Sequence, residues 1–537
     1  MIEIQGLSKS FPDKKLFGDV NLRFTGGNTY GIIGANGAGK STFLKIVSKE
    51  IEATSGNISI PANKRISVLG QDHNAFDEKL VTDVVIMGNK HLYAIQEEKN
   101  AIYENPEATT ADYEKAAELE EKFGASGGWN AENDAQILLS GIGVDKEKWS
   151  VPMSELKAGE KVKVLLAQAL FGSPDILILD EPTNHLDLKA IKWLEDFLVN
   201  YENLVLVVSH DSDFLDQVCT HIVDIDFGGA KMFTGNYSFW KESSALILDL
   251  QQRQNAKKEE QIKALKAFVA RFSANASKSS QATSRKKSLE KIELDEIKPS
   301  NRKYPYIRWD LNRPVGKDIL RVDNLGYTAE NGEVLFDNVS FILGNKDKLA
   351  IIGPDDIAKT VLLEILMGIK QPTSGEVKWG STITADYFPN DNSAYFKKQM
   401  PITEWIAQWP IENKIEANKD NSDSRMRAFL GRMLFGGDSA LKDVSKTSGG
   451  EKARLMFSRM MLKESNFLVL DQPLDHLDTE SIDSVIEGMN AYDSGIAFTT
   501  YNRALIKKTA TMILEIKNNE SFLFKGNLDE YEKKMGF

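Results

Sequence analysis

The chain has 537 residues, with 66 basic and 78 acidic side chains, a formal net charge of −12, and 27% charged and 42% hydrophobic residues. This is the composition of a globular protein of several domains rather than a disordered one, and taken whole its acidic balance argues against a polyanion partner. The single cysteine, Cys219, excludes a disulfide framework and a multi-cysteine metal site and suits a reducing, cytoplasmic compartment, and no apolar run reaches the roughly 18 residues of a membrane span.

The opening MIEIQGLSKSF has no apolar signal-peptide core and predicts a first β-strand. An apolar strand, TYGIIG, then enters Gly34-Ala35-Asn36-Gly37-Ala38-Gly39-Lys40-Ser41. This fits G-x-x-x-x-G-K-[ST] in full, and Thr42 carries on into a helical pattern. Glycines let the loop's backbone N–H groups close on a β-phosphate, and the helix N-terminus adds positive potential. Lys40 neutralises phosphate charge, and Ser41 offers an oxygen to Mg²⁺. Gln71 follows another strand, ISVLGQD, and is a candidate to touch Mg²⁺ or the attacking water. Residues 88–128 predict two polar helices broken at Asn105-Pro106, a solvated arm. The run Ile176-Leu-Ile-Leu-Asp180-Glu181 is a buried strand ending in two acids. In a parallel sheet such acids face the ligand crevice. Asp180 is placed to hold Mg²⁺, and Glu181 to polarise the attacking water. His210 follows LVLVVSH at the same edge and is a candidate γ-phosphate contact.

A helical connector follows over about 241–313, interrupted by the Ser-rich SANASKSSQATS. Arg253 to Lys303 hold 14 Lys/Arg against 6 Asp/Glu, a local charge of +8, which leaves −20 on the rest. A solvated linker is the simpler reading. A basic segment on an acidic body points further, to phosphate contact without sequence reading.

After the connector the chain repeats itself. LFGDVNLRFTGGNTYGIIGANGAGKSTFLKI recurs as LFDNVSFILGNKDKLAIIGPDDIAKTVLLEI, and ILILDEPTNHLD as FLVLDQPLDHLD. Between early and late motifs the offset falls from 319 to 291, so the first copy holds 28 extra residues, in the arm. The second copy has lost chemistry. Its loop reads Gly353-Pro-Asp-Asp-Ile-Ala-Lys359-Thr360, with Asp356 and Ala358 in place of two glycines. Asp355 and Asp356 put carboxylates beside a polyanion, which is repulsive. Lys359 and Thr360 survive as phosphate and metal ligands by type. Glu181, His210 and Gln71 are matched by Gln472, Tyr501 and Asn390.

These motifs resemble the ATP-binding cassette superfamily. Nearly the whole chain is similar to its F subfamily: two cassettes in one polypeptide, a charged helical linker, no membrane domain, and TNHLD after the acidic strand. Length and the phrase RFSANASKSSQATSR are most similar to its bacterial YbiT-type members. The resemblance implies an α/β fold of two tandem ATPase domains, at 1–240 and 314–537, joined by a basic helical hairpin. It implies that Phe11 stacks on adenine. It also identifies signature motifs: Thr447-Ser448-Gly449-Gly450-Glu451 in the second half, and Leu156-Lys157-Ala158-Gly159-Glu160, lacking the serine and first glycine, in the first. Cassettes of this superfamily pair head to tail. The intact first loop then faces the intact signature (Ser448, Gly449, Gly450, Glu451), and the altered loop faces the altered signature. One composite site with ATP and Mg²⁺ is expected to hydrolyse; the other is empty or holds an idle nucleotide.

The resemblance further implies a monomeric translation factor. In its ATP form it enters the ribosomal exit site, directs the linker at P-site tRNA and the peptidyl-transferase centre, and sets the arm toward the L1 stalk. The acidic arm is expected to meet protein or a basic rim rather than naked RNA. An antibiotic target-protection protein, a transporter ATPase subunit and a non-catalytic scaffold remain as alternatives.

Overall fold

The computed structural model describes residues 1–537 except 13, 71, 273–283, 285–286, 288–299, 301, 312, 317, 410–422 and 537. The repeat in the sequence is a repeat in space. The first copy opens with strands β1 (Ile2–Phe11) and β2 (Lys14–Phe24), followed by β3 (Thr29–Ile33), β4 (Ser55–Ser59), β5 (Ile66–Val68), β6 (Ile176–Asp180), β7 (Leu204–Val208), β8 (His221–Asp226) and β9 (Gly229–Thr234). The second copy has β10 (Asp318–Thr328), β11 (Val334–Gly344), β12 (Lys348–Ile352), β13 (Ser374–Trp379), β14 (Ala385–Phe388), β15 (Phe467–Asp471), β16 (Ile496–Thr499), β17 (Met512–Lys517) and β18 (Glu520–Lys525). Each copy has a three-stranded antiparallel sheet, β2-β1-β4 or β11-β10-β13, and a six-stranded sheet, β5-β6-β7-β3-β8-β9 or β14-β15-β16-β12-β17-β18. The two large sheets match strand for strand.

In both large sheets only the last strand runs antiparallel. The central strands β3 (TYGII) and β7 (LVLVV) are buried at every position. Such continuous apolar runs suit parallel strands covered on both faces. Two hydrophobic cores serve the first copy and two serve the second. The register puts the functional ends together. Gly31 pairs with Val207, and Asp180 pairs with Val208. The loop after β3, the acids after β6 and the histidine after β7 therefore share the carboxyl edge, where open α/β sheets bind ligands.

The arm consists of helices Lys90–Glu104 and Thr110–Ala125, with Pro106 in the turn between them. Thr109 and Asp112 form a capping box that starts the second helix. Its inner stripe (Leu92, Ile95, Ala116, Leu119, Phe123) is buried. Its outer face pairs Lys115 with Glu98, and Lys99, mostly covered over the rings of Phe123 and Trp129, pairs with Glu120.

The connector begins as a 36-residue helix, Tyr237–Phe272, about 54 Å long at 1.5 Å per residue. The Ser-rich tip and most of the return segment lie outside the described residues. The returning chain is anchored at its root. Arg302 sits 2.6 Å from Asp224, 2.8 Å from Asp226 and 2.8 Å from Glu480, so one guanidinium joins the first copy to the second. It also lies 4.9 Å over the ring of Trp240. Ile307 and Trp309 then pack into the second core. This corrects the charge count made from the sequence. Arg302 belongs to the basic segment in sequence, but its charge is held by three carboxylates and is not available to a polyanion.

Candidate active site

Each repeat places a left-handed, non-glycine residue after its acidic strand: Glu181 at φ 52° and Gln472 at φ 48°, then His185 at φ 62° and His476 at φ 64°. Such backbone is costly for a side-chain-bearing residue and is concentrated at functional sites. Here it turns the side chain after the strand back toward the phosphate loop.

In the first copy, the loop glycines adopt left-handed conformations that side-chain-bearing residues rarely take. Gly37 has φ 73° and Gly39 φ 106°, and a Cβ on Gly34 would lie 2.5 Å from the carbonyl oxygen of Ile225. The helix Lys40–Val47 starts directly behind them. A cavity of about 460 Å³ opens at its N-terminus, lined by the loop (Asn36, Gly37, Gly39, Lys40, Ser41, Thr42), by Asp180, Glu181 and His210, and by His73, Asn184 and His185. Gly34 lies beneath, where its carbonyl accepts from Lys40 Nζ at 2.7 Å. The Lys40 ammonium is buried, and burial lowers its pKa against the pull of Glu181 and other carboxylates.

Glu181 Oε2 accepts from the His210 backbone N–H at 3.1 Å. Its Oε1 is buried, has no hydrogen-bond partner, and lies 3.4 Å from His210 Nε2. Burial pushes the Glu181 carboxyl up to about 8, against that N–H bond. Burial, with Lys40 beside it, pushes the His210 imidazole down to about 3, so the ring is neutral. A neutral ring can donate from one nitrogen and accept at the other. A buried cation, glycine N–H groups at a helix start, and an unsatisfied carboxylate oxygen together form a donor set that suits a triphosphate with a divalent cation.

The second copy reaches this site. Thr479 Oγ1 lies 3.1 Å from His210 Nδ1, and Asp478 and Glu480 act on Lys40 through space. The Arg503 backbone N–H donates to Asp211 at 3.1 Å, and its guanidinium meets Glu195 at 3.0 Å. Thr479 was not singled out in the sequence; the only signal was its place directly after the repeated HLD.

Other expected residues lie elsewhere. Ser448, Gly449, Gly450 and Glu451 do not line the cavity. Ser448 caps the helix Gly449–Lys463 in a capping box with Glu451, whose carboxylate is taken by Lys442 at 2.7 Å and the Ser448 N–H at 2.7 Å. Phe11 is 49% exposed at the end of β1, with Lys9 5.2 Å over its ring, and does not line the cavity. Gln71 lies outside the described residues. In the second copy, Lys359 Nζ meets Gly353 O at 2.9 Å and Asp356 at 2.9 Å, and Thr360 donates to Asp471 at 2.7 Å.

Comparison with known proteins shows the family. The ABC transporter family matches residues 17–184 and 336–475, and a further ABC transporter extension matches 223–309. The chain is 51% identical to the ABC transporter ATP-binding protein YkpA of Bacillus subtilis (strain 168), over 97% of this chain and 95% of that one. It is 41% identical to the probable ATP-binding protein YbiT of Escherichia coli O157:H7, over all of both chains. It is 32% identical to ABC transporter F family member 2 of Arabidopsis thaliana, over 99% of this chain and 79% of that one. Among solved structures, the archaeal ribosome recycling factor aABCE1, in complex with the ribosomal stalk protein aP1, has the same fold (TM-score 0.63, 16% identity, 99% of this chain and 92% of that one). Ribosome-bound archaeal ABCE1 with Pelota also matches (TM-score 0.58, 16% identity, 99% and 80% covered). Among the described residues no helix is long and apolar enough to cross a membrane. Two matched cassettes and full-length F-type relatives place the chain in the F subfamily of the ATP-binding cassette proteins.

Proposed function

We propose that this chain is a cytoplasmic, ribosome-associated ATPase that hydrolyses ATP at one composite site and acts as a monomeric translation factor. The observation that carries the one-site reading is the Lys40–Glu181–His210 group, with Lys40 buried and Glu181 and His210 half-buried, touched by Thr479 of the second cassette. Lys40 and the loop N–H groups would bind the β- and γ-phosphates. Ser41 and Asp180 would hold Mg²⁺, with Gln71 as a further ligand; the ion supplies charge neutralisation to the phosphates. Glu181 would orient the attacking water and accept its proton, and His210 would contact the γ-phosphate from the next strand. Ser448, Gly449 and Gly450 would close over the nucleotide from the second cassette. Phe11 would stack on its base.

The division at 1–240, 241–313 and 314–537 belongs to the same proposal. Cassette closure acts on the linker through its root: Glu480 lies in the second cassette near Lys40 and also holds Arg302. In the ATP form the linker would address P-site tRNA and the peptidyl-transferase centre from the exit site, and the arm would face the L1 stalk. Hydrolysis would release the protein. Support comes from F-type relatives and from the ABCE1 fold, which others carry on the ribosome. Lys115–Glu98 and Lys99–Glu120 pairing leaves the arm acidic outside, as suits a protein contact. Co-sedimentation of the Glu181→Gln variant with ribosomes tests this. Retention with ATP and release without it is expected. No retention in either condition would overturn the ribosomal reading.

A further inference from the structure

The two phosphate loops differ in backbone, not only in composition. Asp356 and Ala358 stand where Gly37 and Gly39 take positive φ, and neither adopts it. The second helix therefore begins at Asp356, three residues earlier than its counterpart at Lys40. Residues that form the cradle in the first copy form a helical turn in the second. The freed N–H groups of Ile357 and Ala358 turn to Asp355 Oδ1, at 2.8 and 3.2 Å.

The remaining phosphate ligands are also engaged by protein. Asp356 holds Lys359 and accepts from the Tyr501 hydroxyl. The Lys359 ammonium lies 4.3 Å over the Tyr501 ring. Asp471, the counterpart of Asp180, accepts from Thr360 and, at 2.5 Å, from Thr499. Asp475, exposed beside Asp356 and Asp471, adds a further carboxyl. A triphosphate here would have to displace a carboxylate from the only loop lysine and sit among several more.

The first cassette closes the arrangement. Lys157, at the position of the signature serine, reaches Asp355 Oδ2 at 2.8 Å and Glu333 at 3.5 Å. Burial alone would raise the Asp355 carboxyl; Lys157 and the two helix N–H groups hold it below its usual value. His185 packs edge-on against Tyr501, with centroids 5.8 Å apart.

We propose that the second nucleotide site is a self-liganded joint: Asp355 and Asp356 take the places of phosphate oxygens, Lys157 bridges the cassettes there, and no nucleotide enters at any stage of the cycle. Only the first site then opens and closes with ATP, and the cassettes pivot about the second. The pivot rests on the one-site reading above; the exclusion of nucleotide does not.

Two measurements on the full chain without ribosomes test it. The first counts radiolabelled ATP retained with Mg²⁺. The Glu181→Gln variant is expected to hold one per chain, and Glu181→Gln combined with Lys40→Ala none. Two per chain in the former, or one retained in the latter, overturns the joint. The second follows backbone amide exchange on adding ATP to Glu181→Gln, where no folding-sensitive second substitution is needed. Gly37 to Ser41 are expected to slow while Ile357 and Ala358 stay unchanged. Slowing at Ile357 and Ala358 overturns the proposal. Undiminished turnover in Glu181→Gln would sink the one-site reading instead, and the count with Lys40→Ala would still decide whether the second site binds.

Discussion

The two phosphate loops share a strand before them, a lysine, a hydroxyl and a helix after them, yet only one is a cradle. The difference lies in two positions. Gly37 and Gly39 hold left-handed backbone that Asp356 and Ala358 do not adopt, so the second helix winds back through the loop and its N–H groups are consumed by Asp355. On the proposal made above, the second site is closed less by deleting ligands than by letting the helix extend. The architecture around both loops is unchanged. Gly34 and Gly353 keep the same conformation at φ 153° and 146°, and a Cβ on either would meet a carbonyl of the neighbouring strand, at 2.5 and 2.1 Å respectively, so both positions require glycine.

The comparison can be broken most severely at its two lysines. Lys40→Ala removes a buried cation from the phosphates and should abolish ATP binding and turnover. Lys359→Ala should leave both at the wild-type level, and equilibrium binding with steady-state phosphate release checks the pair. Next in size is the anchor that both cassettes share. Arg302→Ala would leave Asp224, Asp226 and Glu480 without the cation they share, and removing one partner of a buried ionic cluster costs about 3–5 kcal/mol, to be read as a fall in unfolding free energy in denaturant. The two conserved-geometry glycines sharpen the contrast further. Gly34→Ala and Gly353→Ala should each destabilise by about 1–3 kcal/mol of backbone strain, but only Gly34→Ala should lower turnover per folded molecule. The smallest effect is expected at Lys157→Ala. That pair is half exposed, so its loss should cost under about 1 kcal/mol by thermal unfolding.

Much of this was legible in the sequence because the repeat itself is a fold signal. The apolar runs TYGII, ILILD and LVLVV, each followed by its motif, predict parallel strands with ligands at one edge, and β3, β6 and β7 deliver them there. The residue losses in the second copy were readable too. The backbone change was not. A glycine-to-aspartate substitution reports repulsion toward phosphate, but whether the loop holds its shape or winds into helix depends on φ and on the cap that Asp355 supplies. Charge counting overstates the basic segment by one residue for a related reason. Arg302 adds to a basic segment in one dimension and is neutralised in three, because strand β8 and the helix Thr479–Ala491 bring carboxylates from distant sequence to meet it. Thr479 was missed because its partner, His210, lies in the other cassette.

The central claim is that one glutamate, Glu181, carries hydrolysis for the whole chain while its counterpart, Gln472, is silent. Steady-state ATP hydrolysis by Glu181→Gln beside Gln472→Glu tests it most directly. Loss of a catalytic base predicts a fall of about 10²- to 10⁴-fold in the first variant and an unchanged rate in the second. Wild-type turnover in Glu181→Gln, or a doubled rate in Gln472→Glu, would contradict it.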